Sequence, residues 1–234
     1  MLVNLVEPAS AAGVLTDAKD ADIPVILFNR EIDEKDLKIS KNVWYVGTDA
    51  RAAGVMQGKM LKDLWKKQSR ILDWNGNGML DYVLVEGEES HFDAIRRTSG
   101  FLETGAELPL NQKGNILAEW KRELAYEKFA ALDDEAVQNV EAVICNNDDM
   151  ALGVYDYYKE KNLKLPVIIG INNSEEMHQK IMSGEMYGTI DNKMEDQVME
   201  ICRLMQAILK KDTGSYQKVW YSTPKAIVKA EGTE

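Results

Sequence analysis

Side chains that form directed hydrogen bonds follow the ends of six predicted strands. They are planar amides and carboxylates with one imidazole, one guanidinium and one indole: Asn29, His91, Asp93, Arg97, Trp120, Asn146, Asn147, Asp148, Asn172, Asn173, Asp191 and Asn192. Each hydroxyl of a neutral polyhydroxylated ligand both donates and accepts, and these groups serve both roles. An indole also covers an apolar C–H face of a ring. Asn and Asp favour turns and helix N-caps too, but six agreeing strand ends favour a ligand site.

A Gly- and Asn-rich loop has the ligand spacing of a calcium site. Oxygen-bearing side chains occupy positions 1, 3, 5 and 9 of the segment that begins at Asp73, namely Asp73, Asn75, Asn77 and Asp81. Gly78 stands at position 6, where an EF-hand loop turns sharply, and Met79 offers a carbonyl oxygen at position 7. Position 12 is Leu84 instead of a bidentate glutamate. The spacing predicts a Ca²⁺ site whose bidentate carboxylate comes from elsewhere; the alternative is an Asn/Gly turn.

Short apolar runs alternate with amphipathic stretches of helical length along the chain. Examples of the apolar runs are Tyr82–Val85, Ala142–Cys145 and Pro166–Ile169. This alternation predicts βαβ units, and continuously apolar strands indicate a parallel sheet that is buried on both faces. Ligands of such sheets bind outside the carboxyl ends of the strands, where the polar side chains above are predicted to lie. We therefore expect an α/β protein of doubly wound topology.

The composition argues against several classes of function. The chain has 234 residues, of which 28 are basic and 39 acidic, and its formal net charge is −11. An acidic chain of this kind offers no basic face for a phosphate backbone, which argues against nucleic-acid binding. No apolar run approaches the ~20 residues that a membrane helix needs. Cys145 and Cys202 are too few for a disulfide framework or a cysteine-based metal site.

Several segments together resemble the periplasmic sugar-binding proteins of ABC transporters, in particular their galactose/glucose-binding branch. The segments are V-N-L-V-E-P at 3–8, P-V-I-L-F-N at 24–29, Y-V-G-T-D at 45–49, the D-x-N-x-N-G loop, G-E-E-S-H-F-D-A-I-R-R at 87–97 and I-C-N-N-D at 144–148. The spacing H-x-D-x-x-x-R over residues 91–97, together with the loop, is the most specific part. The resemblance implies two Rossmann-like, doubly wound lobes, joined by three crossovers, that close on a monosaccharide.

The resemblance also implies which residues bind and what the protein does. The sugar-binding positions would be Asn29, His91, Asp93, Arg97, Trp120, Asn147, Asn172 and Asn192. The calcium positions would be Asp73, Asn75, Asn77, Met79 through its carbonyl, Asp81 and Glu141, which would supply the missing bidentate carboxylate. The implied role is an extracytoplasmic receptor, periplasmic or tethered to the cell surface, that catalyses nothing. It would deliver a sugar of the glucose or galactose type to an ABC permease and, in chemotaxis, to a chemoreceptor.

The chain departs from the family pattern in ways that bear on its organisation. Asn172 stands where the family has Asp, and Asp81 stands where a neutral Gln is common. The family's first two βα units are missing, and with them a sugar-binding Asp and the aromatic side chain opposite Trp120. The run Leu2–Val6 is typical of a central strand, and no signal-peptide pattern precedes it. We therefore expect an incomplete first lobe and a fragment or a misplaced start.

The resemblance places an incomplete N-terminal lobe at 1–47 and 193–218, and a C-terminal lobe with the calcium loop at 48–192 and 219–234. One alternative function is the effector-binding domain of a sugar-responsive transcription regulator, which would need a helix-turn-helix upstream. Another is a doubly wound enzyme, but neither G-x-G-x-x-G nor a P-loop motif occurs in the sequence. Asp93 and Asp148 could act as acid and base, but no activated nucleophile accompanies them.

Overall fold

The computed structural model describes residues 1–6, 8–132 and 134–229 as an alternating α/β chain. The strands are β1 (Leu2–Val3), β2 (Val25–Phe28), β3 (Val43–Thr48), β4 (Leu80–Glu86), β5 (Leu110–Leu117), β6 (Ala142–Cys145), β7 (Val167–Ile171), β8 (Gly188–Asp191), β9 (Val219–Ser222) and β10 (Lys225–Val228). The helices are α1 (Ala11–Asp20), α2 (Glu34–Leu37), α3 (Ala50–Leu72), α4 (Phe92–Gly105), α5 (Arg122–Ala130), α6 (Asp134–Asn139), α7 (Asp148–Glu160), α8 (Glu175–Ser183) and α9 (Met194–Leu209).

The chain forms two compact units. Unit 1 consists of Met1–Asp49 and Lys193–Thr223, and unit 2 consists of Ala50–Asn192 and the segment from Pro224 onward. The expectation that residues from 219 belong to the second lobe is wrong for 219–223, because β9 pairs in parallel with β3 in unit 1. The chain joins unit 2 through β10, which pairs antiparallel with β8. Residues 230–234 lie outside the described part.

Unit 1 contains a parallel sheet in the order β1-β2-β3-β9. One face of the sheet packs Leu27 and Tyr45 against Leu15 of α1, and the other packs Trp44 against Leu204 of α9. The sequence predicts a strand over residues 2–6 without an upstream neighbour. In the described sheet β1 lies at an edge, but only two of its residues pair. The chain leaves the sheet after Val3, and Leu5 then turns into the core.

Unit 2 contains a six-stranded sheet in the order β10-β8-β7-β6-β4-β5. Strands β4 to β8 are mutually parallel. Successive residues of β6 point to opposite faces: Val143 packs with Phe129 and Tyr158 on one face, and Ile144 packs with Phe101 on the other. Both faces of the central strands are therefore buried, which confirms the α/β prediction made from their continuously apolar sequences.

The packing of α3 on α4 fixes the helix that bears two of the predicted site residues. A Cβ atom at Gly54 of α3 would lie 1.9 Å from the carbonyl oxygen of Arg97, so the helices approach to a distance that only glycine permits. Gly100 of α4 meets the carbonyl oxygen of Arg51 in the same way, at 2.3 Å. Within the described ranges, no helix is long and apolar enough to cross a membrane.

Candidate functional site

The carboxyl ends of β4 to β8 form one edge of the unit 2 sheet, here called the carboxyl edge. Seven of the eight residues predicted to bind sugar lie on the connections that leave this edge: His91, Asp93, Arg97, Trp120, Asn147, Asn172 and Asn192. Asn29 lies in unit 1, directly after β2, where it is exposed. Its backbone is left-handed, with a φ of 65°, and its carbonyl oxygen accepts a hydrogen bond from the Tyr45 hydroxyl at 2.9 Å.

His91, Asp93 and Arg97 form a buried polar group at the start of α4. His91 caps the helix, because its Nδ1 accepts a hydrogen bond from the backbone N–H of Asp93 at 3.1 Å. In a neutral imidazole this assignment places the proton on Nε2, which is then a donor. Arg97 donates to Asp93 at 3.3 Å and to the carbonyl oxygen of Asn146 at 2.7 Å. The three side chains are thus held in fixed directions although each is less than one tenth exposed.

Trp120 follows β5 on a strained backbone and packs on the same group. Glu119 and Trp120 both have left-handed backbones, with φ values of 50° and 67°. The Arg97 guanidinium lies 5.6 Å from the Trp120 ring centre, and the His91 ring meets it edge-on at 5.0 Å. A Cβ at Gly87 would lie 2.2 Å from the indole, so glycine makes room for it. The indole N–H is buried and has no hydrogen-bond partner among the described residues.

The three predicted asparagines that follow β6, β7 and β8 also form hydrogen bonds with neighbouring groups. Asn147 is the N-cap of α7, where its Oδ1 accepts from the Met150 N–H at 3.0 Å, and its Nδ2 donates to the Trp120 carbonyl at 3.1 Å. Asn192 donates to the Oδ1 of Asn172 at 2.9 Å. The N-cap interpretation of Asn147 is therefore correct, but it does not exclude ligand binding because an amide has further bonding capacity.

Asn146 supports this edge although the resemblance did not place it among the sugar-binding residues. It is 1% exposed, its Oδ1 accepts from the Gly87 N–H at 3.2 Å, and its Nδ2 donates to the Thr98 hydroxyl at 3.3 Å. Its carbonyl receives the Arg97 bond described above. Asn146, which directly follows β6, therefore links its own connection to the connection after β4. The sequence signal was present in the Asn146–Asn147 pair, but the spacing alone did not say which asparagine faces inward.

The 73–81 loop lies at the opposite, amino edge of the same sheet. Asp73 accepts from the Gly78 N–H at 2.9 Å, Asn75 from the Asn77 N–H at 3.0 Å, and Asn77 from the Met79 N–H at 2.8 Å. These side-chain bonds to backbone N–H groups curl the loop. Asp81, the second residue of β4, accepts amide hydrogens from Asn75 at 2.9 Å and from Asn77 at 3.2 Å.

Glu141 meets this loop from the start of β6, as the resemblance implied. Its carboxylate accepts from the backbone N–H groups of Trp74 at 2.8 Å and Asp81 at 2.9 Å. Glu141 is fully buried, and this burial raises the pKa of its carboxyl group, while the hydrogen bonds lower it and the charge of Asp81 raises it further. Sequence reasoning missed Asn111 of β5, which donates to Asp81 at 2.5 Å.

The donor chemistry of the 73–81 loop fits a hard cation. The side-chain donors are all oxygens of carboxylates and amides, which are the ligands that Ca²⁺ prefers. One oxygen, Oδ1 of Asp73, is buried and has no hydrogen-bond partner in the described part of the chain. Over the same residues, no three His, Cys, Asp or Glu side chains converge as a metal cluster by themselves. The amide and main-chain oxygens would therefore have to complete any site.

The chain belongs to the periplasmic binding protein domain family, which it matches over residues 1–213. It is 32% identical over 228 residues to the D-galactose/methyl-galactoside binding periplasmic protein of Haemophilus influenzae, covering 94% of this chain and 67% of that relative. It is 29% identical over 197 residues to the galactofuranose-binding protein of Escherichia coli, covering 80% of this chain and 58% of that relative. The chain thus spans between about half and two thirds of the length of the curated relatives it matches.

The fold comparison agrees with the sequence comparison. An ABC transporter periplasmic solute binding protein from Actinobacillus succinogenes, solved with bound D-allose, superposes with a TM-score of 0.83, 20% identity, and coverage of 97% of this chain and 77% of that one. At this identity the likeness shows the type I periplasmic binding protein fold. The relatives named here are sugar-binding transport proteins rather than enzymes, and the family is one of periplasmic binding proteins.

Proposed function

We propose that this chain is the receptor for a monosaccharide of the galactose or glucose type and delivers it to an ABC permease. The observation that supports the proposal most strongly is the buried His91–Asp93–Arg97 group with Trp120 packed on it. It is a rigid set of directed donors and acceptors beside a half-buried aromatic ring. The similarity to a D-galactose/methyl-galactoside binding protein adds to it.

In this proposal each kind of side chain has a different task. Asp93 accepts from sugar hydroxyls, Arg97 and the Nε2 of His91 donate to them, and the asparagines do both. Trp120 covers an apolar face of the sugar ring, and its unpartnered indole N–H is available to one hydroxyl. Asn172 is an amide where the family pattern has a carboxylate. An amide can donate as well as accept a hydrogen bond, so we expect the sugar preference to differ from that of a site that has only an acceptor at this position.

Isothermal calorimetry with a panel of sugars tests the proposal. D-galactose and D-glucose are titrated into the chain, with galactofuranose and D-allose as competitors because relatives of this chain bind them. Trp120→Ala is expected to weaken binding, whereas Trp74→Ala, which changes a half-buried tryptophan beside the amino edge, is the matched control. If neither hexose produces heat at millimolar concentration, the assignment is wrong.

We further propose that the 73–81 loop and Glu141 bind one Ca²⁺ ion with a structural role. Asp73, Asn75, Asn77, Asp81 and Glu141 would hold the ion through side-chain oxygens, and Met79 through its carbonyl. The ion supplies positive charge among buried carboxylates. It would stiffen unit 2 at the edge opposite the sugar residues rather than contact sugar.

Melting curves test the calcium proposal. A ligand that binds only the folded state raises stability by RT ln(1 + [L]/Kd), which is about 2.7 kcal/mol at 100 times Kd. Calcium is therefore expected to raise the Tm, and a chelator is expected to reverse the increase. Asn77→Ala should reduce the response, while Asn162→Ala, an exposed asparagine beyond α7, should leave it unchanged. An identical Tm with chelator, in protein shown beforehand to contain calcium, would contradict a structural role.

We also propose that the sugar-loaded chain binds a chemoreceptor. Saturable capture of the sugar-loaded chain by a receptor's extracytoplasmic domain would support this interaction. The alternative function, an effector domain of a transcription regulator, is disfavoured because the matched relatives named above are described as periplasmic or sugar-binding proteins.

A further inference from the structure

Asp148 is a buried carboxylate at the carboxyl edge that the proposed sugar contacts leave unused. It is the first residue of α7, directly after Asn147, and is 1% exposed. One carboxylate oxygen accepts from the backbone N–H of Ser174 at 2.7 Å. The other accepts from the hydroxyl of Thr189 at 2.5 Å. A single side chain therefore joins the connections after β6 and β7 to strand β8.

Each of these three attachment points lies next to an asparagine predicted to bind sugar. Asn147 precedes Asp148, Asn172 lies two residues before Ser174, and Asn192 lies three residues after Thr189. The two asparagines on the far strands also contact one another, because Asn192 donates to Asn172 at 2.9 Å. A displacement of Asp148 would therefore also displace all three asparagines, because each lies within three residues of a group that Asp148 holds or of Asp148 itself.

The connection that Asp148 holds is strained and needs outside support. Asn172 has a φ of 135° and Asn173 has a φ of 61°, which are conformations that L-residues rarely adopt. Such conformations persist only where surrounding bonds fix them. Here the Asn172 N–H donates to the Ile190 carbonyl at 2.8 Å, and the Ser174 N–H donates to Asp148.

The sheet leaves space for this carboxylate at one glycine. A Cβ atom at Gly170 of β7 would lie 2.2 Å from Oδ1 of Asp148, so any side chain there would displace the carboxylate. This close approach is independent of the hydrogen bonds. It indicates that the backbone of β7 has room for the Asp148 side chain only because residue 170 is a glycine.

We propose that Asp148 is a positioning residue of the sugar site, which holds Asn147, Asn172 and Asn192 in one arrangement from beneath without contacting sugar. The inference rests on the proposed function, because those asparagines have to be the groups that bind. Asp148 acts through its hydrogen bonds to the Thr189 hydroxyl and the Ser174 N–H. A protonated carboxyl or an amide can form both of these, because the Thr189 hydroxyl can accept as well as donate. A methyl side chain can form neither bond.

The groups around Asp148 are few and identifiable. Thr189 of β8 and both the N–H and the side chain of Ser174 hydrogen-bond to it. Gly170 of β7 presents only backbone, and Asp149 on the same helix adds a like charge that raises the pKa of Asp148. The thiol of Cys145 on β6 is fully buried, and burial together with the charge of Asp148 raises the pKa of that thiol well above its ordinary value. Cys145 therefore stays neutral over the range in which the carboxyl group titrates.

Calorimetry with D-galactose on matched variants tests the role. Asp148→Ala is expected to weaken binding about tenfold, the usual scale for losing hydrogen bonds to a charged group. Asp148→Asn is expected to recover most of that loss, and Asp149→Ala, which removes the exposed neighbouring charge, should bind like the wild type. Equal affinities for folded Asp148→Ala and wild type would overturn the proposal, as would an Asp148→Asn variant that binds as weakly as Asp148→Ala.

Hydrogen exchange without sugar separates this inference from the proposed function. Asp148→Ala is expected to speed exchange about tenfold at residues 171–175, where the strained connection loses its bond, while Asp149→Ala leaves that segment unchanged. If wild type binds neither D-galactose nor D-glucose, the proposed function fails. The exchange at residues 171–175 in Asp148→Ala then still measures whether Asp148 holds this connection. Where Asp148→Ala does not fold, Thr189→Val removes one of the two bonds, and unchanged exchange and affinity in that variant would contradict the role.

Discussion

The two edges of the unit 2 sheet both bury carboxylates but compensate them differently. At the carboxyl edge, Asp93 is paired with Arg97, and Asp148 accepts hydrogen bonds from a backbone N–H and a hydroxyl. At the amino edge, side-chain amides surround Asp81 and backbone N–H groups surround Glu141, whose pKa is also raised by the negative charge of Asp81.

This difference indicates which edge is complete without a ligand. Removing one partner of a buried ion pair leaves the other charge buried and unpaired. Two neighbouring carboxylates that have only neutral donors, such as Asp81 and Glu141, instead repel one another unless a cation binds between them. In the proposed function, the carboxyl edge is the one arranged in advance for a neutral ligand such as a sugar. The amino edge is the one proposed to gain from a bound cation, in line with the calcium spacing of the 73–81 loop.

The largest predicted effect is at the ion pair of the carboxyl edge. Asp93→Ala leaves Arg97 buried without its carboxylate and is expected to cost about 3–5 kcal/mol of unfolding free energy. Urea denaturation measures this. The control is Glu103→Ala, which breaks the exposed pair with Arg51 and should cost less than about 1 kcal/mol. Similar losses in the two variants would show that the carboxyl edge is not organised by its ion pair.

A smaller effect is expected from Asp148 as pH changes. Burial raises the pKa of its carboxyl group from 3.8 to about 6, so the folded state binds the proton more tightly than the unfolded state. The stability this provides is complete below the unfolded pKa and is lost as pH rises through the folded pKa. Asp148→Asn removes the effect, so its stability advantage over wild type should grow by about 2 kcal/mol between pH 4.5 and pH 7.5. A constant difference across that range would contradict this account.

The smallest predicted effect lies at the amino edge and changes sign with calcium. Burial raises the pKa of the Glu141 carboxyl, but three backbone N–H bonds offset part of that increase. Without calcium, Glu141→Gln is expected to gain slightly in Tm over wild type as pH rises, because it lacks the buried charge. With calcium it should be less stable than wild type, because it lacks a ligand. The same sign in both conditions would show that the two edges do not differ in their need for a cation.

The sequence predicted those parts of the molecule that local patterns determine. The parallel strands of unit 2 were recognisable because β6 and β7 are apolar on both faces. The position of Glu141 beside the 73–81 loop was implied by the family resemblance and not by a local pattern. The location of Val219–Ser222 was not predictable from its own pattern, since an extended apolar segment pairs equally well with either sheet and its partner, β3, is distant in sequence. The support given by Asn146, Asp148 and Asn111 was missed because buried polar contacts depend on three-dimensional neighbours.

Hydrogen exchange of the chain with and without saturating D-galactose is the most direct test of the central claim, that the carboxyl edge of unit 2 binds the sugar. The account predicts increased protection in residues 88–97, 118–122, 146–150 and 171–174, which contain the candidate sugar contacts of four of the five connections. It predicts no change in the 73–81 loop at the opposite edge. Protection confined to that loop, or no protection in any of the four segments at a sugar concentration that saturates binding, would contradict it.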